Sequence, residues 1–342
     1  MKRLVQLFIL ISVLLTASAC NFEYGTQKSK LTIPEEAKYL LIGVECVKKS
    51  FGVGGVEDKT YIYYLSENGE LLEKELILQG SQVIAVSYFE DFIYLSLRNG
   101  RVQEINLVTG EIKELTYAYK EGSEVYYIKR VGELLYLNYY TYGFSHNKGE
   151  ICVMSINDAA EEKCVGLDSS YYDIVYIEDS IYALSRYDTK IIEFDLDLNE
   201  LNMTRFYEEC YLEYYGDDIY IVYTDGIHDW SNKVKYDRDL TTGFYDYHIF
   251  DNELFLVTEQ TITVYDIKNG EKKREVTLEP SYDLGHIFTN LGVEKFVTKF
   301  DNHYVTVIPF DLKTLELSPT KFVFEPNNDY WLASVYALYT RE

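Results

Sequence analysis

Hydrophobic and polar residues alternate in short runs from residue 37 to the C-terminus, and this period of two is typical of β-strands. The runs recur in groups of four, as at 83–115, 172–203 and 247–278. Pairs of residues that favour tight turns, Thr109-Gly110 and Asn269-Gly270, lie between the third and fourth runs of a group. The pattern therefore predicts an all-β chain made of a repeated four-stranded unit.

The spacing of the units indicates a β-propeller, because a four-stranded blade takes about 40–45 residues. The second strand of each of these units has an apolar segment, and successive segments start 42, 46, 38, 35 and 42 residues apart. Their first residues are Ile93, Leu135, Ile181, Ile219, Leu254 and Phe296. With a first unit at 39–78, they predict seven blades over residues 37–342, with six or eight as alternatives. The first unit lacks an innermost strand, so we expect residues 329–340 to pair with it and close the ring.

One stretch of the repeat points to a known family. Residues 93–115 resemble the quinoprotein-type (PQQ-like) propeller repeat, in which two strands, a Thr-Gly turn and a further strand follow one another, and residues 254–276 resemble it more loosely. The tryptophan that ends each blade in that family is replaced by Leu115 and Val276. The resemblance implies the fold without quinone chemistry, so no cofactor is expected. Lipid-anchored propellers of this type include outer-membrane assembly scaffolds.

The first 19 residues have the layout of a secretory signal peptide. Lys2 and Arg3 precede nine apolar residues at 7–15, and small residues follow at 16–19. The apolar run is shorter than the roughly 20 residues that span a bilayer. Residues 17–20, Ala-Ser-Ala-Cys, resemble a bacterial lipoprotein lipobox. The resemblance implies cleavage before Cys20 and attachment to its sulfur of a diacylglycerol with palmitate-type acyl chains. Ordinary signal peptidase would cut the same bond. We expect an extracytoplasmic, lipid-anchored protein, with residues 20–36 as a flexible tether.

The net charge of the chain indicates which classes of partner it can bind. Loss of Lys2 and Arg3 leaves 30 basic against 56 acidic residues, a net charge of −26. Such a chain repels nucleic acids and anionic lipid surfaces, so neutral or cationic partners are favoured and membrane contact is expected through the lipid alone. The hydrophobic content of 47% supports a sizeable core.

Three long connections between second and third strands are predicted at 46–58, 140–148 and 224–232, and these connections lie on one face of a propeller. They carry aromatic and polar residues suited to stacking on a sugar or holding a peptide, namely Phe51, Tyr140, Tyr142, Phe144, His146, His228, Asp229 and Trp230. The alternative is that these aromatic rings fold back onto their own loops. We predict a ligand-binding face for an envelope protein, peptide or glycan.

Sequence motifs for catalysis are lacking. The five histidines do not show the spacing of metal ligands, and neither a nucleophile elbow nor a phosphate-binding glycine loop occurs. We therefore predict a non-enzymatic binding or scaffold protein without a metal. The alternative is a propeller glycan hydrolase or lyase that uses carboxylates at the mouth of the central channel.

Two cysteines are expected to face each other across a hairpin. Cys152 falls on the third strand of its unit and Cys164 on the fourth. An exported protein can form a disulfide here, and two reduced thiols in the core are the alternative.

Overall fold

The computed structural model describes residues 29–47, 59–79, 83–97, 100–115, 123–141, 148–157, 163–167, 172–177, 179–185, 190–205, 210–215, 218–223, 226–229, 234–237, 246–250, 252–257, 261–277, 282–283, 295–301, 304–311, 313–325 and 330–340. Every regular element in these ranges is a β-strand. Helices long and apolar enough to cross a membrane do not occur among these residues. The all-β prediction is confirmed.

The described strands form seven antiparallel sheets, named here in chain order. Sheet one contains β1 (Tyr39–Val47), β2 (Lys59–Leu65), β3 (Leu71–Gln79) and β29 (Tyr330–Thr340). Sheet two contains β4 (Val83–Phe89), β5 (Phe92–Leu97), β6 (Val102–Asn106) and β7 (Ile112–Glu114). Sheet three contains β8 (Ser123–Val131), β9 (Leu134–Thr141), β10 (Lys148–Ser155) and β11 (Lys163–Leu167).

Sheets four to seven complete the described fold. Sheet four contains β12 (Tyr172–Ile177), β13 (Ser180–Ser185), β14 (Lys190–Asp195) and β15 (Glu200–Arg205). Sheet five contains β16 (Cys210–Tyr215), β17 (Asp218–Tyr223), β18 (Gly226–Asp229) and β19 (Val234–Asp237). Sheet six contains β20 (Asp246–Phe250), β21 (Glu253–Val257), β22 (Thr261–Asp266) and β23 (Lys272–Thr277). Sheet seven contains β24 (Tyr282–Asp283), β25 (Lys295–Asp301), β26 (Tyr304–Asp311), β27 (Glu316–Leu317) and β28 (Phe322–Phe324).

The strands of each sheet are hydrogen-bonded in chain order as a meander, with two exceptions: β29 is the first strand of sheet one, and in sheet seven both β27 and β28 pair with β26. It pairs with β1 from Tyr39↔Thr340 to Val47↔Tyr330. The sequence predicts this pairing, because the first unit lacks an inner strand of its own. The C-terminal strand therefore covers an edge that β1 would otherwise expose.

The turn between third and fourth strands is the most regular part of the repeat. The Oδ1 atoms of Asn106, Asp266 and Asp311 each accept hydrogen bonds from the backbone N–H groups two and three residues later. The residue four places on has a positive φ, 74° at both Gly110 and Gly270 and 59° at Leu315. Glycine suits this left-handed position, which is the physical basis of the Gly in the repeated turn.

Neighbouring sheets pack through apolar side chains on their facing surfaces. Buried clusters join sheets one and two, two and three, three and four, six and seven, and seven and one. The first strands of sheets four, five and six, β12, β16 and β20, also lie side by side. The hydrophobic core is therefore divided between successive pairs of sheets, as the radial arrangement predicted from the sequence requires.

The proposed tether ends earlier than the sequence predicts. Residues 29–37, the strap, pack on sheets one and two instead of forming part of a free linker over 20–36. Leu31 is 3% exposed and its N–H donates to the Gly110 carbonyl, while Ile112 N–H donates to the Ser29 carbonyl. Both oxygens of the buried Glu75 carboxylate accept from Thr32 N–H at 3.0–3.1 Å. The polar composition of the segment hid these contacts, because backbone groups make most of them.

Candidate functional site

The sheets have two chemically different ends. The turn end carries the connections between first and second strands and between third and fourth strands; Leu107 N–H donates to the Asp91 carbonyl and so ties two such turns together. The loop end carries the connections between second and third strands and those between sheets. At the loop end, the two longest second-to-third connections join β1 to β2 through residues 48–58 and β9 to β10 through residues 142–147.

Contacts between neighbouring sheets join like ends to like ends. Towards the turn end, Arg130 of sheet three donates to the Tyr94 hydroxyl of sheet two at 2.8 Å, and Lys163 donates to Asn199 of sheet four at 3.2 Å. Towards the loop end, the Ser96 hydroxyl of sheet two donates to the Val125 carbonyl of sheet three at 2.6 Å. Sheets two, three and four therefore present their loop ends on the same side.

The first strands of sheets one, two and three are irregular near the loop end. The register between β4 and β5 shifts at Ile84, and that between β8 and β9 shifts at Tyr126, so each residue interrupts the register of its strand pair. The register between β29 and β1 shifts twice. Each shift is a β-bulge, which re-aims a side chain and is enriched beside functional sites. The buried Ser96 hydroxyl connects two bulges, since it accepts from Ala85 N–H at 2.9 Å and donates to the Val125 carbonyl.

The bulge in β8 leaves an aromatic ring at the surface of this end. The Tyr126 side chain is 37% exposed, although its neighbours in the strand are largely buried. Its ring meets the buried Tyr140 ring edge-on, with centroids 5.5 Å apart, and its hydroxyl donates to the buried Glu124 carboxylate at 3.0 Å. An aromatic ring fixed in this way beside a carboxylate suits stacking on a sugar or contact with a cationic side chain.

Sequence reasoning missed Glu124 and Tyr126, but the pattern carried a signal. Val125 and Ile128 pack in the same core between sheets two and three although they are three residues apart. Regular alternation places residues on one face at even spacings only. The odd spacing marks the bulge that leaves Tyr126 at the surface.

Tyr140, by contrast, does not occupy the exposed loop position predicted for it. It lies in β9 and is 4% exposed, directly opposite Glu124 of β8. Tyr126 packs against it, and strand pairing holds its backbone. Tyr140 therefore supports the exposed ring of Tyr126 rather than presenting its own.

The prediction of a long second-to-third connection in sheet five is also wrong. His228 and Asp229 lie in strand β18, which pairs with β17, so only residues 224–225 separate the second and third strands. Trp230 lies outside the described residues. The polar residues that predicted a loop therefore belong to a paired strand.

The register gives Asp229 a structural interpretation. Tyr94 donates to Glu104 at 2.8 Å and Tyr182 donates to Glu193 at 3.1 Å, in each case between directly opposed residues of second and third strands. Asp229 is opposite Tyr220 at the same position of sheet five. Asp229 therefore lies in a strand, at the position that Glu104 occupies in sheet two and Glu193 in sheet four.

Of the remaining predicted residues, Cys20, Phe51, Tyr142, Phe144 and His146 lie outside the described residues. Cys152 and Cys164 lie opposite each other in β10 and β11 and are joined by a disulfide, with their Cα atoms 4.1 Å apart. The Glu150 carboxylate lies within 4.8 Å of both sulfurs, the one grouping of metal-ligand atoms found in the described ranges. Because the two sulfurs are bonded to each other, this grouping lacks the thiolates that a metal would require.

Comparison with known proteins bears on the fold alone. No protein-family model matches the chain, and no curated protein matches it. The dihydro-heme d1 dehydrogenase NirN in complex with DHE aligns with a TM-score of 0.51 and 9% identity, over 92% of this chain and 78% of that one. Apo AztD from Citrobacter koseri aligns with a TM-score of 0.51 and 9% identity, over 88% and 97%. A chain of the mitotic checkpoint complex aligns with a TM-score of 0.52 and 11% identity, over 91% and 97%.

NirN and AztD have propeller-type folds. This chain has a β-propeller-type fold. The propeller assignment agrees with the packing of successive meander sheets, whereas identities near 10% carry no information about ligand or activity.

Proposed function

We propose that the chain forms a closed propeller of seven blades, anchored by a lipid at Cys20, and that it binds an envelope protein, peptide or glycan at its loop end without catalysing a reaction. Ring closure is supported by contacts between successive sheets. Buried apolar clusters account for five of the seven neighbouring pairs, and adjacent first strands link sheets four, five and six. The pairing of β29 with β1 joins the two ends of the chain within one blade.

The proposal of a lipid anchor rests on the signal-like residues 1–19 and the cysteine that follows them. Two acyl chains hold a protein on a membrane stably, whereas one holds it only marginally. Since the mature chain has a charge of −26, its body would be repelled by an anionic bilayer, and the lipid would supply the membrane affinity.

One observation carries the proposal of binding: an exposed aromatic ring, Tyr126, is held at a bulge by a buried ring and a buried carboxylate, Tyr140 and Glu124. Stacking surfaces of this kind contribute specific contacts with little conformational entropy to lose. The two longest second-to-third connections, which carry Phe51, Tyr142, Phe144 and His146, leave the sheets at the same end. We include those four residues in the proposed binding face.

Site-specific photo-crosslinking in cells tests this proposal. A benzophenone amino acid replaces Tyr126 at the loop end or, as the matched control, Val108, which is 73% exposed at the turn end. We expect Tyr126 to give one discrete adduct, identified by mass spectrometry as an envelope protein or a wall-derived peptide or glycan, and Val108 to give none. The Tyr126 adduct should disappear when Tyr142 and Phe144 are both replaced by Ala.

Two outcomes would contradict the proposal. Equal adducts at both positions would reject the loop end as the binding face. Turnover of purified wall or capsular polymers, measured as new reducing ends, would reject a non-enzymatic role. Release of the protein into the soluble fraction by Cys20→Ser is expected, and its retention in the membrane would reject the anchor.

A further inference from the structure

The strap determines where the N-terminal segment leaves the propeller. Lys30 forms an isolated antiparallel bridge with Glu111, and the hydrogen bonds of Ser29 and Leu31 flank it. Glu111 belongs to the turn between β6 and β7, which is at the turn end. The chain towards Cys20 therefore begins at the end opposite Tyr126.

The strap is fixed in place by burial as well as by hydrogen bonds. Leu31 lies in the core between sheets one and two, with Ile33 packed against it. A Cβ atom at Gly110 would come within 2.4 Å of the Leu31 carbonyl oxygen, so this glycine gives the strap its close approach. Glu75, which is 5% exposed, also accepts from the Tyr64 hydroxyl at 2.8 Å, and its orientation towards Thr32 is thereby fixed.

Chain length then sets a distance. Eight residues lie between Cys20 and Ser29. The nine Cα-to-Cα steps of a fully extended chain between them span about 30 Å. Most strands of sheets one to three have five to nine residues, which places the two ends roughly 20–30 Å apart. A lipid on Cys20 therefore holds the turn end close to the bilayer and leaves the loop end farther away.

Charge at the turn end favours a stand-off from the bilayer rather than insertion. Exposed acidic residues occupy its turns, namely Glu90, Asp91, Glu111 and Glu133. Carboxylates at this surface are repelled by anionic headgroups and remain hydrated.

We infer that the turn end faces the anchoring membrane and that the loop end, with Tyr126, is presented away from it to a partner in the envelope space rather than to a lipid of the same bilayer. This inference rests on the proposed lipid anchor and goes beyond it by assigning the orientation and the side from which the partner approaches. It follows from the strap contacts and the short segment between Cys20 and Ser29 once the N-terminus is tied to a membrane.

Fluorescence energy transfer to the membrane measures this orientation. The mature chain is joined through its N-terminal cysteine to an aldehyde lipid, which forms a thiazolidine that internal cysteines cannot form. A dye is attached through an azide-bearing residue that replaces either Val108 at the turn end or Gln79, an exposed residue at the loop end. In vesicles of neutral phosphatidylcholine with acceptor lipids, we expect transfer from position 108 to exceed that from position 79 by about twofold or more.

A linker variant supplies the control without disturbing the fold. Twenty Gly and Ser residues inserted between residues 28 and 29 leave the strap in place but add a flexible reach of about 25 Å. The difference between the two positions should then shrink. Equal transfer from both positions in the parent protein, or greater transfer from position 79, would overturn the inference. Because the lipid is attached chemically, this result is independent of whether cells acylate Cys20 and of whether Tyr126 forms a crosslink.

Discussion

At the turn end, sheets two, six and seven use the same turn and sheets one, four and six carry a bulge in the fourth strand, whereas at the loop end sheets one, two and three each interrupt their first strand with a bulge. The turn end follows the repeat because the turn needs only local features: one side-chain oxygen that accepts from two backbone N–H groups, and one residue with a positive φ. The loop end departs from the repeat. Its backbone groups find hydrogen-bond partners on neighbouring sheets, as when the Ser96 hydroxyl bridges two bulges. Local contacts therefore maintain the turn end, while the loop end, where we propose the binding surface, depends on contacts between sheets.

Alkaline pH should have the largest effect on stability, because it ionises tyrosines that are buried in the fold, two of them near the turn end. Burial, together with hydrogen bonds to Glu75 and Glu104 respectively, raises the pKa of Tyr64 and of Tyr94 well above the usual value of 10. Below pH 10 these tyrosines are protonated in both states, and above it the unfolded chain releases the protons first. Stability should therefore fall as pH rises past 10, by at most about 1.4 kcal/mol per pH unit for each tyrosine.

Tyrosinate absorbance followed alongside circular dichroism checks the alkaline prediction. We expect the buried tyrosines to ionise only as the protein unfolds, and a Tyr64→Phe, Tyr94→Phe double variant to lose stability less steeply with pH. Ionisation of all tyrosines in a folded protein would contradict the buried hydroxyl–carboxylate pairs.

Gly110→Ala should have the next largest effect on stability, because Gly110 is both the left-handed residue of the regular turn and the residue that contacts the strap. The new Cβ meets the Leu31 carbonyl oxygen, and φ is +74°. We expect a loss of about 3 kcal/mol in the free energy of unfolding, measured by denaturant titration. Gly132→Ala is the matched control: its φ is +57° but nothing lies within 4 Å, so only the backbone cost of about 1 kcal/mol applies. Equal losses would show that the strap does not occupy the space above Gly110.

Ser96→Ala tests the loop end itself. Removing this hydroxyl leaves Ala85 N–H and the Val125 carbonyl without the partner that connects the two bulges. We expect a loss of about 2 kcal/mol, since the site is fully buried. Ser66→Ala, which removes an exposed hydroxyl that accepts from Glu70 N–H at the turn end, should cost about 0.5 kcal/mol or less. A similar cost for both would mean that the bulges are stable without the bridge.

The same comparison separates what the sequence could predict from what it could not. Alternation, Gly-containing turns and unit spacing predicted the strands, the meander order and the pairing of the C-terminal strand, because these features are local or repeat along the chain. The sequence places His228 and Asp229 in a loop because polar residues occur in strands as well as in loops, and the structure has them in β18. The strap and the Tyr126 site depend on contacts between residues distant in sequence, such as Thr32 with Glu75, and a local pattern does not report them.

Tyr126→Ala should change stability least and binding most. Its ring is partly exposed at a bulge, so truncation should cost about 1 kcal/mol or less in unfolding free energy. Leu72→Ala, at a similarly exposed position near the turn end, is the matched control for stability. With the crosslinker moved to Thr141 at the loop end, adduct yield should fall at least about tenfold in Tyr126→Ala and stay unchanged in Leu72→Ala. A large stability loss with unchanged capture would reverse the roles assigned to the two ends, because Tyr126 would then hold the blade together rather than meet a ligand.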